Sequence, residues 1–216
     1  DFNLLNLMKK VNKNMFELPE NVDLVPIPLT VNENGRSLDR NPEKGSGIIR
    51  IGWISRLMRH KNKVLSILVD DICASSYPTE LTIIGDGNDR KYIENYVSRK
   101  KAENIKFAGR IGTNQLQEYL MQNIDLGVSV GTSALEFAKA SIPTVLAPAA
   151  AQSRYFSKHN EGYAWLHQAN GFDVNTYKEN KDIIQTFNEI LRDYQSNDKA
   201  YGQYAYDYVY HNHSIE

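Results

Sequence analysis

The chain has one cysteine, Cys73. That excludes an internal disulfide framework and suits a reducing compartment. It has no excess of either charge: 25 Lys and Arg stand against 26 Asp and Glu, a formal net charge of −1. A global electrostatic attraction to nucleic acid or an anionic membrane is therefore excluded, and any anion site must be local. No apolar run approaches the roughly 18 residues of a membrane span. No signal peptide opens the sequence, so the expected location is cytoplasmic. Histidines are few, and His60, His167, His211 and His213 stand at no metal-ligand spacing with Cys73. Nothing resembles a Ser–His–Asp arrangement either, so metal catalysis and acyl transfer have no support.

What is present is an ordinary globular composition. The 216 residues are 41% apolar and 24% charged, enough for a sizeable core and one to two domains. Thirteen tyrosines outnumber seven phenylalanines, with no function attached to the excess. The sequence starts at Asp1 and stops at Ser214-Ile215-Glu216 without a C-cap signal. Both ends read as cuts in a longer protein.

Residues 1–47 hold a short amphipathic piece (Leu4, Leu5, Leu7, Met8, Val11), an extended stretch from Val22 to Leu29, and a polar segment rich in Asn, Arg, Gly and Pro. Regular alternation begins at Ile48. Strands are expected at 48–54, 81–84, 105–108, 124–130 and 143–147. Helices are expected at 63–75, with Val64, Ile67, Leu68 and Ile72 inward, and at 89–101, 114–122 and 133–140. Thr113 is the expected N-cap of the third helix. Ile183, Ile184, Phe187, Ile190 and Leu191 form a later helical stripe, and a Tyr-rich segment from Tyr201 to Tyr210 reads as a half-buried helix face. Alternation with near-continuous apolar strands predicts an α/β domain, a doubly wound parallel sheet. Ligands of such sheets bind outside the carboxyl ends of the strands. That rule selects the loops 55–62, 85–88, 109–113 and 131–133.

The first loop holds Arg56, Arg59, His60, Lys61 and Lys63 beside a helix N-terminus. Such a cluster can bind phosphate or can be a solvated basic loop. Gly85-Asp86-Gly87 is either a tight turn or a close backbone approach to a ligand. Gly131-Thr132-Ser133 precedes a helix that carries Glu136. Its amides and hydroxyls can meet a diphosphate, and Glu136 a ribose. Equally, Thr132 or Ser133 can be an N-cap, with Ser133-x-x-Glu136 forming a capping box.

Taken in order, these loops resemble the C-terminal, donor-binding domain of retaining glycosyltransferases of the GT-B architecture, family four in particular. Gly52-Trp53-Ile54-Ser55-Arg56-Leu57 with Lys61 is similar to that family's G-R-L…K signature. The resemblance implies that Arg56 and Lys61 hold the diphosphate of a nucleotide-sugar and carry the catalysis. Leu81 to Asn88 resembles the next strand and G-x-G turn, implicating Gly85 and Gly87. Ile105 to Arg110 resembles the strand after which backbone groups meet the base, implicating Gly109, Arg110 and Ile111. Ala134 to Val145 resembles the L-E-A-x-A-x-G-x-P-V block, making Glu136 the ribose carboxylate, with Gly131, Thr132 and Ser133 at the diphosphate. Two departures stand out: Val128 falls where the first of the family's two glutamates is counted, and Ser141 replaces a glycine.

The organisation this implies is half of a GT-B enzyme: 1–47 as linker and remnant of an N-terminal acceptor-binding domain, 48–195 as the nucleotide-sugar-binding Rossmann-like domain, and 196–216 as a C-terminal helical segment. The expected function is transfer of a sugar from a nucleotide-diphospho-sugar to a glycan or lipid-linked acceptor, as in polysaccharide biosynthesis, with no metal or other cofactor. The isolated chain would bind donor without turnover, and the full protein could associate peripherally with a membrane. The alternatives are a non-catalytic nucleotide-sugar-binding module and an epimerase-like enzyme.

Overall fold

The computed structural model describes residues 47–148, 162–169 and 181–213. The readings of 1–46 and of the last three residues lie outside them. Strand β1 (Ile49–Ile54) leads through α1 (Arg59–Ala74) to β2 (Thr79–Ile84), then α2 (Arg90–Lys100), β3 (Ile105–Gly109), α3 (Thr113–Asn123), β4 (Leu126–Ser129), α4 (Ser133–Lys139) and β5 (Thr144–Leu146). A two-residue β6 (Ala164–Trp165) and α5 (Phe187–His213) follow. The sheet order is β3-β2-β1-β4-β5-β6, parallel throughout except for the β5–β6 pair. The order reverses direction between β1 and β4, which is the doubly wound topology the alternation implied.

The strands are apolar on both sides because both faces are covered. On one face, Ile49, Ile51 and Trp53 of β1 pack with Val64, Leu65 and Leu68 of α1 and Ile93 of α2. On the other, Leu120 of α3 and Phe137 of α4 close the layer together with Ile124 and Ile142. Gly52 and Gly127 sit opposite each other in the β1–β4 register. A Cβ on Gly127 would lie 2.3 Å from the Phe137 ring, and one on Gly52 2.8 Å from it. The two glycines therefore form the floor on which that ring lies, bringing α4 close to the central strands.

Several boundaries differ from expectation, each for a physical reason. Helix α1 starts at Arg59, a turn earlier than Lys63, so half of the basic loop is helical. Its buried stripe is Val64, Leu65, Leu68, Val69 and Ile72, while Ile67 is only partly buried. Thr113 is the first residue of α3, not its cap. Gly112 holds that position without a side-chain bond, and its carbonyl accepts the Gln115 amide at 2.9 Å.

The later stripe is divided. Ile183 ends a 3-10 turn, and Ile184 precedes Gln185, whose N–H and C=O pair with Tyr163 at 2.8 Å each. Helix α5 starts only at Phe187. Thr186 and Glu189 make its capping box: the Thr186 amide donates to Glu189 Oε2 at 2.7 Å, and the Glu189 amide to Thr186 Oγ1 at 3.3 Å. The Thr186 amide first, and then the Thr186 hydroxyl, which donates to the same Oε2 at 2.8 Å, hold the Glu189 carboxyl below the usual range. The Tyr-rich segment continues α5 beyond a non-helical residue, Asn197. As expected it presents a half-buried face: Tyr206 is buried, Tyr201 stacks on Trp165 at 4.0 Å, and Tyr204 is exposed. His167 lies against Tyr201 and Tyr204, and burial pulls its pKa down to about 4.

Candidate functional site

The carboxyl ends of β1, β2 and β3 open into one cleft of about 630 Å³. Its shape is set by how the β1–α1 connection is held. Ser55 and Leu57 point inward: Ser55 Oγ accepts from Trp53 Nε1 at 2.8 Å, and Leu57 is fully buried. Arg56 between them is turned out, exposed, into the cleft. The Ser55 amide donates to the Ile84 carbonyl at 3.1 Å and the Leu57 amide to that of Asp86 at 3.0 Å. The glycine turn is therefore pressed against the arginine turn, backbone to backbone. A Cβ on Gly85 (φ +129) would lie 1.9 Å from the Ser55 carbonyl oxygen, and one on Gly87 2.2 Å from that of Leu57. These contacts give both glycines a structural reason whatever binds in the cleft.

Arg110 and Ile111 enter from the end of β3, so the cleft presents two guanidinium groups, Arg56 and Arg110, beside an apolar wall of Ile54, Ile84, Ile111 and Leu116. Neither arginine makes an ion pair among the described residues. Gly109 (φ +70) lies beside the cleft and not in its lining, and its carbonyl accepts the Gly85 amide at 2.7 Å. Asp86 lines the cleft as well, a residue the sequence reading placed only in a turn; its carboxylate meets Arg90 at 3.4 Å.

A second group gathers at the switch point between β1 and β4. Lys61, in the first turn of α1, reaches across to the Val130 carbonyl at 3.3 Å. Gly131 (φ +69) follows, open toward the Lys61 ammonium. The Ser133 hydroxyl is drawn inward, bonding Ser129 Oγ at 2.5 Å and donating to the same Val130 carbonyl at 3.1 Å. This overturns the capping box. Thr132 holds the N-cap position with no side-chain bond. The amides of Ala134 and Leu135 are already used by the carbonyls of Gly131 and Thr132. Glu136 turns instead to α3, where Gln117 Nε2 donates to its carboxylate at 3.2 Å, with Lys139 at 3.8 Å.

Five of the expected residues thus share the cleft: Arg56, Gly85, Gly87, Arg110 and Ile111. Lys61 joins Gly131 and Ser133 at the β1–β4 switch point, outside the cleft's lining, and Glu136 is linked to the cleft through α3, whose Leu116 is part of the wall. Val128 is corrected more sharply. It lies in β4, fully buried, opposite Trp53 and Val145. It is a core position, and Val130, Gly131 and Thr132 separate its strand from α4.

Among the described residues no group of three or more His, Cys, Asp or Glu is placed to hold a metal ion. None of their helices is long and apolar enough to cross a membrane.

A parallel sheet in this order, with the crossover between β1 and β4 and helices on both faces, defines a Rossmann-like domain. The family model described as glycosyl transferases group 1 matches residues 38–208, and the chain belongs to that family. Among solved structures it is similar to TarM of S. aureus in complex with fondaparinux, alpha-GlcNAc-glycerol and UDP. That match is 18% identical over 96% of this chain and 40% of that one, with a TM-score of 0.62. It is similar to the C-terminal domain of LpcC, a glycosyl transferase group 1 family protein from Francisella tularensis, at 18% identity over 91% of this chain and all of that one, TM-score 0.51. Anabaena HepE in complex with UDP and glucose matches at 17% identity over 86% of this chain and 50% of that one, TM-score 0.52. The chain therefore spans half or less of the TarM and HepE structures, and all of a C-terminal domain. No curated protein matches its sequence significantly. The fold is that of the C-terminal half of a GT-B glycosyltransferase.

Proposed function

We propose that the chain is the donor-binding half of a glycosyltransferase, taking a nucleotide-diphospho-sugar and passing the sugar to a glycan or lipid-linked acceptor. The observation that carries this reading is the cleft, which places two guanidinium groups, without an ion pair among the described residues, beside an apolar wall at the strand ends. A diphosphate suits the first and a base and ribose the second. Arg56 and Lys61 are the groups to stabilise the charge that builds on the diphosphate as it takes the electron pair of the breaking glycosidic bond. Backbone groups near Arg110 and Ile111 meet the base, and Glu136 the ribose.

Residues 1–47 serve as a linker toward an acceptor-binding domain, 48–195 as the donor domain, and the helix from 196 on as a strut reaching back toward that partner domain. Transfer needs both domains, so this chain alone binds donor without turning it over. The whole enzyme works in the cytoplasm, with peripheral membrane contact where the acceptor is lipid-linked, and has no nucleic-acid partner. A second reading, a binding module without transferase activity, is favoured by the short β4–α4 connection, which carries no acidic residue before Glu136.

A thermal-shift screen with UDP and GDP tests the first claim. A rise in Tm with one of them is expected, and no rise with either would sink it. Transfer by a protein carrying both domains then separates enzyme from binding module.

A further inference from the structure

The turn that carries Arg56 is not capped by its own sequence. Met58, at the N-cap of α1, supplies no side-chain acceptor. The acceptor comes from the other loop: the Asp89 carboxylate takes the Arg59 amide at 2.8 Å. Asp89 stands at the N-cap of α2 yet gives its own helix no side-chain bond. Its amide donates to the Leu57 carbonyl at 3.2 Å, and its carbonyl accepts from Asn62 Nδ2 at 2.8 Å. Asn62 is fully buried and its Oδ1 has no hydrogen-bond partner among the described residues, so the bond to Asp89 is the one that orients its side chain. Amide, carbonyl and carboxylate of a single residue thus fasten the chain that follows Arg56, at Leu57, Asn62 and Arg59.

Resting on the reading of the cleft as a diphosphate site, we propose that Asp89 is a positioning residue that sets donor affinity through two opposed effects. As an acceptor it latches the arginine turn to the glycine turn and fixes where Arg56 projects. As a charge it is an anion already seated at the N-terminus of α1, where the helix dipole favours one, and it repels the incoming diphosphate. Substitution separates the two. Asp89→Asn keeps a side-chain oxygen well suited to a helix N-terminus and removes the charge. Asp89→Ala removes both.

Two measurements on the chain test this. Amide hydrogen exchange at Arg59 needs no ligand: Asp89→Asn should retain its protection, whereas Asp89→Ala should speed exchange about tenfold. Calorimetric titration with UDP and with GDP reads the affinity. With whichever binds the parent chain, Asp89→Asn should tighten binding about threefold, an advantage that shrinks in high salt. Asp89→Ala should weaken binding about threefold or more as the turn loosens. Unchanged Arg59 exchange in Asp89→Ala overturns the latch. Equal or weaker affinity in Asp89→Asn overturns the opposed charge effect, and does so even if Asp89→Ala fails to fold. Should the parent chain bind neither nucleotide, the donor reading and the affinity role both fall, while Arg59 exchange still decides whether the latch exists.

Discussion

Two arginines stand at opposite ends of β1, and they have opposite surroundings. Arg50, near its start, grips Asp125 through Nε at 3.0 Å and Nη2 at 2.8 Å, and its Nη1 donates to the Gln122 carbonyl at 2.8 Å. The backbone amide of Arg50 also donates to Asp125, whose side chain is 8% exposed. Arg56, just past the other end, is exposed and makes no ion pair among the described residues. One strand thus separates two uses of the same side chain. At the amino edge of the sheet the guanidinium is consumed by the fold, and at the carboxyl edge it has no ion pair among the described residues. Because parallel strands all point the same way, every carboxyl end opens on one edge, and unpaired charge collects there.

The largest effect expected from breaking this contrast is at the structural end. Arg50→Ala leaves the nearly buried Asp125 carboxylate without its guanidinium partner, while the backbone amide at position 50 still donates to it. The loss should be about 2–3 kcal/mol of stability, somewhat below the figure for a wholly buried pair. Chemical denaturation would read it as a lower midpoint with an unchanged slope. The affinity of the remaining folded fraction for nucleoside diphosphate should not move. If it falls, the amino edge is not separate from the site.

Arg56→Ala is the mirror experiment. An exposed side chain with no partner contributes little to stability, so the change should lie within about 0.5 kcal/mol. Losing a charge-assisted contact to a diphosphate should cost about 1.5–3 kcal/mol of binding, roughly tenfold or more in Kd. Calorimetry with the nucleotide that binds checks it. Unchanged affinity removes Arg56 from the site, and with it the simplest form of the contrast.

Sequence reading recovered one side of this comparison better than the other. The alternation of strands and helices was legible because apolar runs of the right length are local features, and the carboxyl-edge rule then selected four loops, three of which line one cleft. The roles of particular residues were less legible, because they depend on contacts distant in sequence. Ser133-x-x-Glu136 and Thr186-x-x-Glu189 have the same capping spacing, yet only the second forms. Ser129 and the Val130 carbonyl are nearer partners for the Ser133 hydroxyl. Asp89 caps a helix 30 residues upstream, a pairing no local pattern carries. Counting back eight positions from Glu136 lands on Val128, and a count along the chain does not show that this residue is fully buried within β4. The antiparallel β6 is only two residues long, too short for any periodicity.

Ser141 is the smallest and cleanest case, because it looked like a change in the site and is a change in the backbone. Helix α4 ends in a Schellman turn: the Ser141 amide donates to the Ala138 carbonyl at 2.9 Å and the Ile142 amide to that of Phe137 at 3.1 Å. The residue after the cap must then be left-handed, and Ser141 has φ +53. Glycine takes that conformation without the Cβ penalty of about 1–2 kcal/mol, but loses more freedom on folding, which offsets part of the gain. Ser141→Gly should therefore stabilise the chain by about 0.5–1 kcal/mol, a rise of a few degrees in Tm at most. Nucleoside diphosphate affinity should stay the same, since the turn lies at the far end of α4 from Gly131 and Lys61. A gain in affinity without a gain in Tm would return Ser141 to the site. A gain in Tm alone would leave it where the backbone puts it, on the side of the fold with Arg50.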